Sequence, residues 1–202
     1  MNKQQIANTV IKSAEGLAKK SDFNNAGLKD QDIYALCKAG YIERIKRGYY
    51  KLTSAETPSE ELILSRLLTQ GVICVESALF YYGYSDFAPR KWSIAVPRSY
   101  SRTVQSLQKQ VPIKAYYVQN DVIQLGKTTG IFNGTKLPVY DRERTICDCC
   151  KYRTKLDNEI FNKAILAYAA DQKKDLDKLS NYAKKTGVYK KMMNVMEVLF
   201  NG

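Results

Sequence analysis

Apolar residues over positions 4–20 fall at Ile6, Val10, Ile11, Ala14, Leu17 and Ala18, the spacing of one helix face. The segment SDFNNAGL follows, with Asn24-Asn25 and Gly27 as turn signals. DQDIYALCKAG then places Ile33, Leu36 and Cys37 on one face and ends at Gly40, a helix C-cap, while Asp30 suits the positive end of the dipole. YIERIKRGYYKL predicts two short strands joined at Lys46-Arg47-Gly48, where glycine supplies the unusual φ of the turn. The first 52 residues therefore read as helix, short helix, helix, β-hairpin, the order of a winged helix-turn-helix.

A second pattern begins after ETPSEEL, a linker with Ser59 as N-cap before Glu60 and Glu61. Helical spacing runs through Leu62, Ile63, Leu67 and Leu68 to Gly71, and VICVESALFYYG predicts a further short helix ending at Gly83. KWSIAVP alternates with period two, KAYYVQ reads as a strand, and TGIFNGTKLPVY carries the Asn133-Gly134 hairpin turn. From Asp141 onward the pattern is helical, over 141–153, 157–170, 174–186 and 188–200. The expected fold class is α+β. A winged helix-turn-helix occupies residues 1–56, and a mixed α/β domain occupies 57–202, with a small sheet over about 90–140 and a helical bundle over 141–202.

Charge changes this picture. Lys and Arg number 32 against 20 Asp and Glu, a net charge of +12. The excess is spread along the chain: +4 over residues 1–56, +3 over 57–150 and +5 over 151–202. Such a balance suits a polyanionic partner, because neutralising phosphates releases counterions, although a merely basic surface has the same composition. No apolar run is long enough to span a bilayer and the first residues lack a signal-peptide core, so the expected setting is cytoplasmic, without membrane association.

The chain has no histidine, which removes histidine-based nucleophile pairs, general acids and metal ligands together. The five cysteines are odd in number and irregularly spaced, unlike a disulfide framework. CDCC at 147–150 lacks a second cluster, and on a helix Ile146, Cys149 and Cys150 would face the core as small hydrophobes. YYGYSDF has a nucleotidyltransferase-like glycine-serine turn, but the strand after it, WSIAVP, carries no metal-binding carboxylate. No catalytic set, cofactor motif or metal site is expected.

In a helix-turn-helix the second helix enters the major groove. With Ile33, Leu36 and Cys37 inward, the outward positions are Asp30, Gln31, Tyr34, Ala35 and Lys38. Gln31 suits a bidentate contact to adenine, Tyr34 a phosphate or thymine methyl, and Lys38 and Lys29 phosphates. The same side chains would also serve as an ordinary solvated face. The hairpin concentrates Arg44, Lys46, Arg47 and Lys51 in eight residues, with Tyr49 and Tyr50 alongside. A basic wing of this kind can clamp the backbone or enter the minor groove, and its lysines would equally protect an edge strand.

These pieces resemble one family. GLKDQDIYALCKAGYIERIKRGYYKL is similar to the reading helix and wing of AbiEi-type antitoxins. GVICVESALFYYGYSDFAPRKWSIAVP resembles that family's SAL…G…P…VP segment, and YDRERTICD its ERT-x-x-D helix start. The likeness runs in order from about residue 4 to 170, and the lysine-rich tail after 173 matches no motif of the family. The resemblance implies an antitoxin of a type IV toxin–antitoxin pair, linked to abortive infection against phage. Such a protein represses its own operon by binding inverted repeats in promoter DNA and opposes a nucleotidyltransferase-like toxin without a stable complex. Carried onto this chain, Gln31, Tyr34, Lys38, Arg44, Lys46 and Arg47 would contact DNA. Ser77, Arg142, Glu143, Arg144, Thr145 and Asp148 match motifs of the antitoxin domain, with a functional or structural role left open. Arg144 and Asp148 lie four apart on a helix, a spacing at which they would pair with each other. A stand-alone winged-helix regulator with a ligand- or partner-sensing second domain is the alternative, and an enzyme acting on nucleic acid a more distant one. With no dimerisation coiled coil in the sequence, a monomer in solution is expected.

Overall fold

The computed structural model describes residues 2–200, and the chain divides into two compact units, one running to Arg66 and the other starting at Leu67. In the first, α1 (Lys3–Ser13) begins at a reciprocal cap. Asn2 accepts from the Gln5 backbone N–H, and the Gln5 side chain accepts from Asn2 N–H. The helix stops seven residues short of the expected Lys20, because Glu15 and Gly16 both take positive φ. Leu17 and Ala18, which share the helical spacing, are instead buried just beyond the break. A two-residue strand, β1 (Ala18–Lys19), follows, then α2 (Lys20–Asn25) and α3 (Asp30–Lys38). The α3 helix ends before Gly40, whose φ of +68° turns the chain into β2 (Ile42–Lys46) and β3 (Tyr49–Leu52). These strands form a small antiparallel sheet in the order β1-β3-β2. Its core joins Val10, Ile11, Phe23, Leu28, Ile33, Leu36, Ile42 and Tyr50, with Phe23 and Tyr50 edge to face at 5.7 Å. The result is a winged helix-turn-helix with a third, short strand that hydrophobic spacing alone did not separate from α1. A further helix, α4 (Glu60–Leu67), is capped by Ser59, whose hydroxyl accepts from Leu62 N–H at 3.2 Å.

The second unit is built on a five-stranded mixed sheet. Its strands are β4 (Val72–Ile73), β5 (Trp92–Pro97), β6 (Ile113–Val118), β7 (Lys127–Phe132) and β8 (Thr135–Tyr140), in the order β6-β5-β4-β8-β7. β5 and β6 run parallel, as do β4 and β8; the other two neighbouring pairs are antiparallel. The helices are α5 (Val75–Tyr81), α6 (Ser101–Leu107), α7 (Arg142–Lys151), α8 (Asn158–Ala170), α9 (Leu176–Thr186) and α10 (Tyr189–Phe200). The spacing of the sequence predicts every one of them except α6. α7 packs beside α5, α8, α9 and α10, and every residue from Glu143 to Cys150 is buried. Cys147 is therefore enclosed together with Cys149 and Cys150, where a one-faced helix would have left it outside. The architecture as a whole is α+β.

Candidate nucleic-acid interface

α3 presents one clean face. Ile33 and Leu36 anchor its inner side, and Gln31, Tyr34, Ala35 and Lys38 lie outside, with Tyr34 71% exposed. Lys29, the residue before the helix, is also exposed, and its backbone N–H donates to Asp32 at 2.9 Å. Beside this face the two strands of the wing turn at Arg47-Gly48, with Gly48 at φ +83°. Its carbonyl accepts from Lys20 N–H at 2.8 Å, which ties the hairpin tip to the start of α2. Arg44 and Arg47 are exposed and Lys46 is half-buried; partial burial lowers the Lys46 pKa from its ordinary value. A cavity of about 380 Å³ between α3 and the wing brings Tyr34 and Arg44 together with Lys20 and Asp30.

Charge pairing shapes the potential of this face. Asp30 faces Lys20 at 2.6 Å, Asp32 faces Lys3 at 2.6 Å, and Glu43 faces Lys51 at 3.4 Å. The hydrogen bonds from Lys3 and from Lys29 N–H hold the Asp32 carboxyl below its ordinary value. Each carboxylate on the helix and wing is thus matched by a lysine. Lys29, Lys38, Arg44, Lys46 and Arg47 have no carboxylate partner among the described residues. What remains is a net positive surface around an exposed aromatic ring and a glutamine.

Two of the wing residues marked in the sequence sit elsewhere. Lys51 is 6% exposed, and its ammonium donates to the Ala55 carbonyl at 3.1 Å besides facing Glu43. Strand position alone does not reveal this, because the wing closes over the chain leaving β3. The Tyr49 hydroxyl donates to the Arg66 carbonyl at 3.0 Å and its ring lies 6.0 Å from the Lys19 ammonium. Both side chains are committed inside their own unit. Lys20, by contrast, joins the cavity without having been marked. The break at Glu15-Gly16, followed by a fresh helix start at KSD, is the signal that frees it from the first helix.

The six motif residues of the second unit are all held internally. Ser77 accepts from Ser93 N–H at 2.9 Å, Thr145 donates to the Tyr140 carbonyl at 3.3 Å, and Arg142 donates to Asp171 at 3.0 Å. Glu143 accepts from Asp175 N–H at 3.1 Å and lies 3.6 Å from Lys178. Arg144 Nε donates to Asp148 at 3.0 Å in a pair whose side chains are each 1% exposed. Its Nη1 donates to the carbonyls of Val122 and Leu125, and its guanidinium lies 4.2 Å from the Tyr140 ring centre. Burial pushes the Asp148 carboxyl up, against the pull of Arg144. Among the described residues no group of three or more Cys, Asp or Glu is placed to hold a metal ion, and no helix is long and apolar enough to cross a membrane.

No curated protein sequence matches the chain. The crystal structure of the RV2827C protein from Mycobacterium tuberculosis is similar in fold, with a TM-score of 0.53 and 13% identity over 91% of this chain and 77% of that one. The family model described as "Transcriptional regulator, AbiEi antitoxin" matches residues 4–53, which span α1 through the wing. That family is one of regulators rather than of enzymes, and a DNA-binding regulatory role goes with it. Residues 4–53, about a quarter of the chain, are thus similar to the AbiEi antitoxin transcriptional regulators.

Proposed function

We propose that this protein is an autorepressing antitoxin of a type IV toxin–antitoxin pair. The exposed face of α3, with Gln31 and Tyr34, reads base edges in the major groove of inverted repeats in its own promoter. Lys29, Lys38, Arg44, Lys46 and Arg47 hold the flanking phosphates. The observation that carries the reading is the charge pairing: the acids of helix and wing are each matched by a lysine, and the unmatched groups are all cations. The second unit opposes a nucleotidyltransferase-like toxin without a stable complex and performs no catalysis. The protein is cytoplasmic, and a monomer occupies each half-site.

The test is a DNase I footprint of the full chain on the DNA upstream of its own gene, with light scattering of the free protein. Two protected, inverted half-sites and a monomeric mass are expected. Uniform, sequence-independent protection would overturn the operator reading, and a stable dimer without DNA would overturn the monomer. For the antitoxin role, co-expression with the product of the neighbouring gene should restore growth, and unrelieved toxicity would refute it.

A further inference from the structure

The second unit holds its motif residues in internal bonds, yet a separate group of polar side chains is left unused. β5 and β6 are parallel and paired in register up to Pro97 and Val118, so Arg98-Ser99 and Gln119-Asn120 leave the sheet side by side at the carboxyl ends of both strands. Together with Tyr117 and Lys151, they line an open cleft of about 580 Å³. In open α/β sheets the crevice outside the carboxyl ends of parallel strands is where ligands bind, because the loops leaving the strands diverge there.

The lining has a defined chemistry. Both charged side chains, Arg98 and Lys151, are cations, and neither has a carboxylate within ion-pair distance among the described residues. Lys151 approaches the Tyr152 ring, at 6.0 Å, and its charge also acts on the buried Asp148 carboxyl without reaching ion-pair distance. The side chains of Arg98, Ser99, Gln119 and Asn120 make no hydrogen bond to other described residues. Tyr117 is 44% exposed although it stands on a strand, and its ring packs against no other ring there. Two exposed cations suit a phosphate, an exposed aromatic face suits a planar base, and two amides and a hydroxyl suit the edge of a base or the hydroxyls of a sugar.

We propose that this cleft binds a nucleoside phosphate: Arg98 and Lys151 take the phosphate, Tyr117 stacks on the base, and Gln119 and Asn120 bond its polar edge. The site lies entirely in the second unit and is independent of the DNA-reading face, so either can fail without the other. Its occupant would be an effector of the regulator rather than a substrate, since no reacting group stands among these residues.

The experiment is an equilibrium titration of the full chain with N-methylanthraniloyl-ATP and its GTP counterpart, in 150 mM salt, competed with unlabelled nucleotides, inorganic phosphate and a dT oligonucleotide. Saturable binding is expected, displaced by unlabelled nucleotide better than by phosphate. R98A/K151A should weaken it at least tenfold, and Y117L should weaken it while leaving the phosphate affinity unchanged. R44A/R47A, which removes charge only from the wing, should leave it unaltered. Circular dichroism of each variant confirms folding. Lack of saturation up to 1 mM nucleotide, equal affinity in R98A/K151A, loss in R44A/R47A, or stronger displacement by the oligonucleotide than by nucleotide would each overturn the proposal.

Discussion

Replacing Arg144 by methionine asks how much the fully buried ion pair of α7 holds the second unit together. The side chain is 1% exposed and makes three hydrogen bonds: one to Asp148 and one each to the carbonyls of Val122 and Leu125. Methionine keeps most of the volume and none of the donors. It would leave the Leu125 carbonyl and a carboxylate that is 1% exposed without a partner, while the Val122 carbonyl keeps the Leu125 N–H at 3.2 Å; Asp148 Oδ2 already has none. Breaking one side of a buried pair costs about 3–5 kcal/mol, most of it the uncompensated charge. With a urea slope of about 2 kcal/mol per molar, the unfolding midpoint should fall by about 1.5–2.5 M. The single tryptophan, Trp92, lies on β5, so its fluorescence follows this unit rather than the first. The double variant R144M/D148L should recover much of the loss, because it removes the stranded charge. The deficit of R144M alone should shrink at lower pH, where Asp148 takes up a proton and becomes cheaper to bury. A loss under about 1 kcal/mol, or a double variant less stable than R144M, would refute the view that this motif arginine is structural.

Other consequences follow from the same geometry. Gly126 sits at φ +75°, and a Cβ there would stand 2.5 Å from Arg144 Cβ, so Gly126→Ala should cost about 1–3 kcal/mol in the same urea assay. Hydrogen bonds from Tyr84, Lys173 N–H and Arg142 hold the Asp171 carboxyl below its ordinary value. A carboxyl depressed on folding contributes stability above its unfolded pKa and loses it as pH falls through the folded one. Thermal unfolding below about pH 4 should therefore fall less steeply in Asp171→Asn than in wild type. Cys74, Cys147, Cys149 and Cys150 are buried and only Cys37 is partly exposed, so Ellman's reagent should titrate one thiol in the native protein and five in denaturant. Burial raises the Cys37 pKa, and that one thiol should react more slowly than a free cysteine.

Much of this architecture is written in local patterns. Gly40 and Gly48 mark the end of α3 and the turn of the wing because only those backbone angles need a residue without Cβ. Asn133 and Gly134 do the same for the β7–β8 hairpin. Three features depend on tertiary context that spacing does not carry. β1 exists because a two-residue segment meets β3 after a positive-φ break. Lys51 is buried because the chain after β3 folds back within reach of its ammonium. α7 is buried on all sides because it is surrounded, and no amphipathic pattern predicts a helix whose polar residues are satisfied inside the core. On the exposed face, sequence position separates outward from inward residues on α3. It does not show that Asp30, Asp32 and Glu43 are matched by lysines, which is what decides the sign of the surface.

That sign is open to direct measurement. Fluorescence anisotropy of wild type and of R44A/R47A on the DNA upstream of the gene, from 50 to 200 mM salt, gives the dependence of log K on log salt. If Arg44 and Arg47 each hold one phosphate, the double variant loses about 1.8 from the slope, at about 0.9 per contact, and binds more weakly throughout. Equal affinity and an unchanged slope would mean that the wing does not touch the duplex.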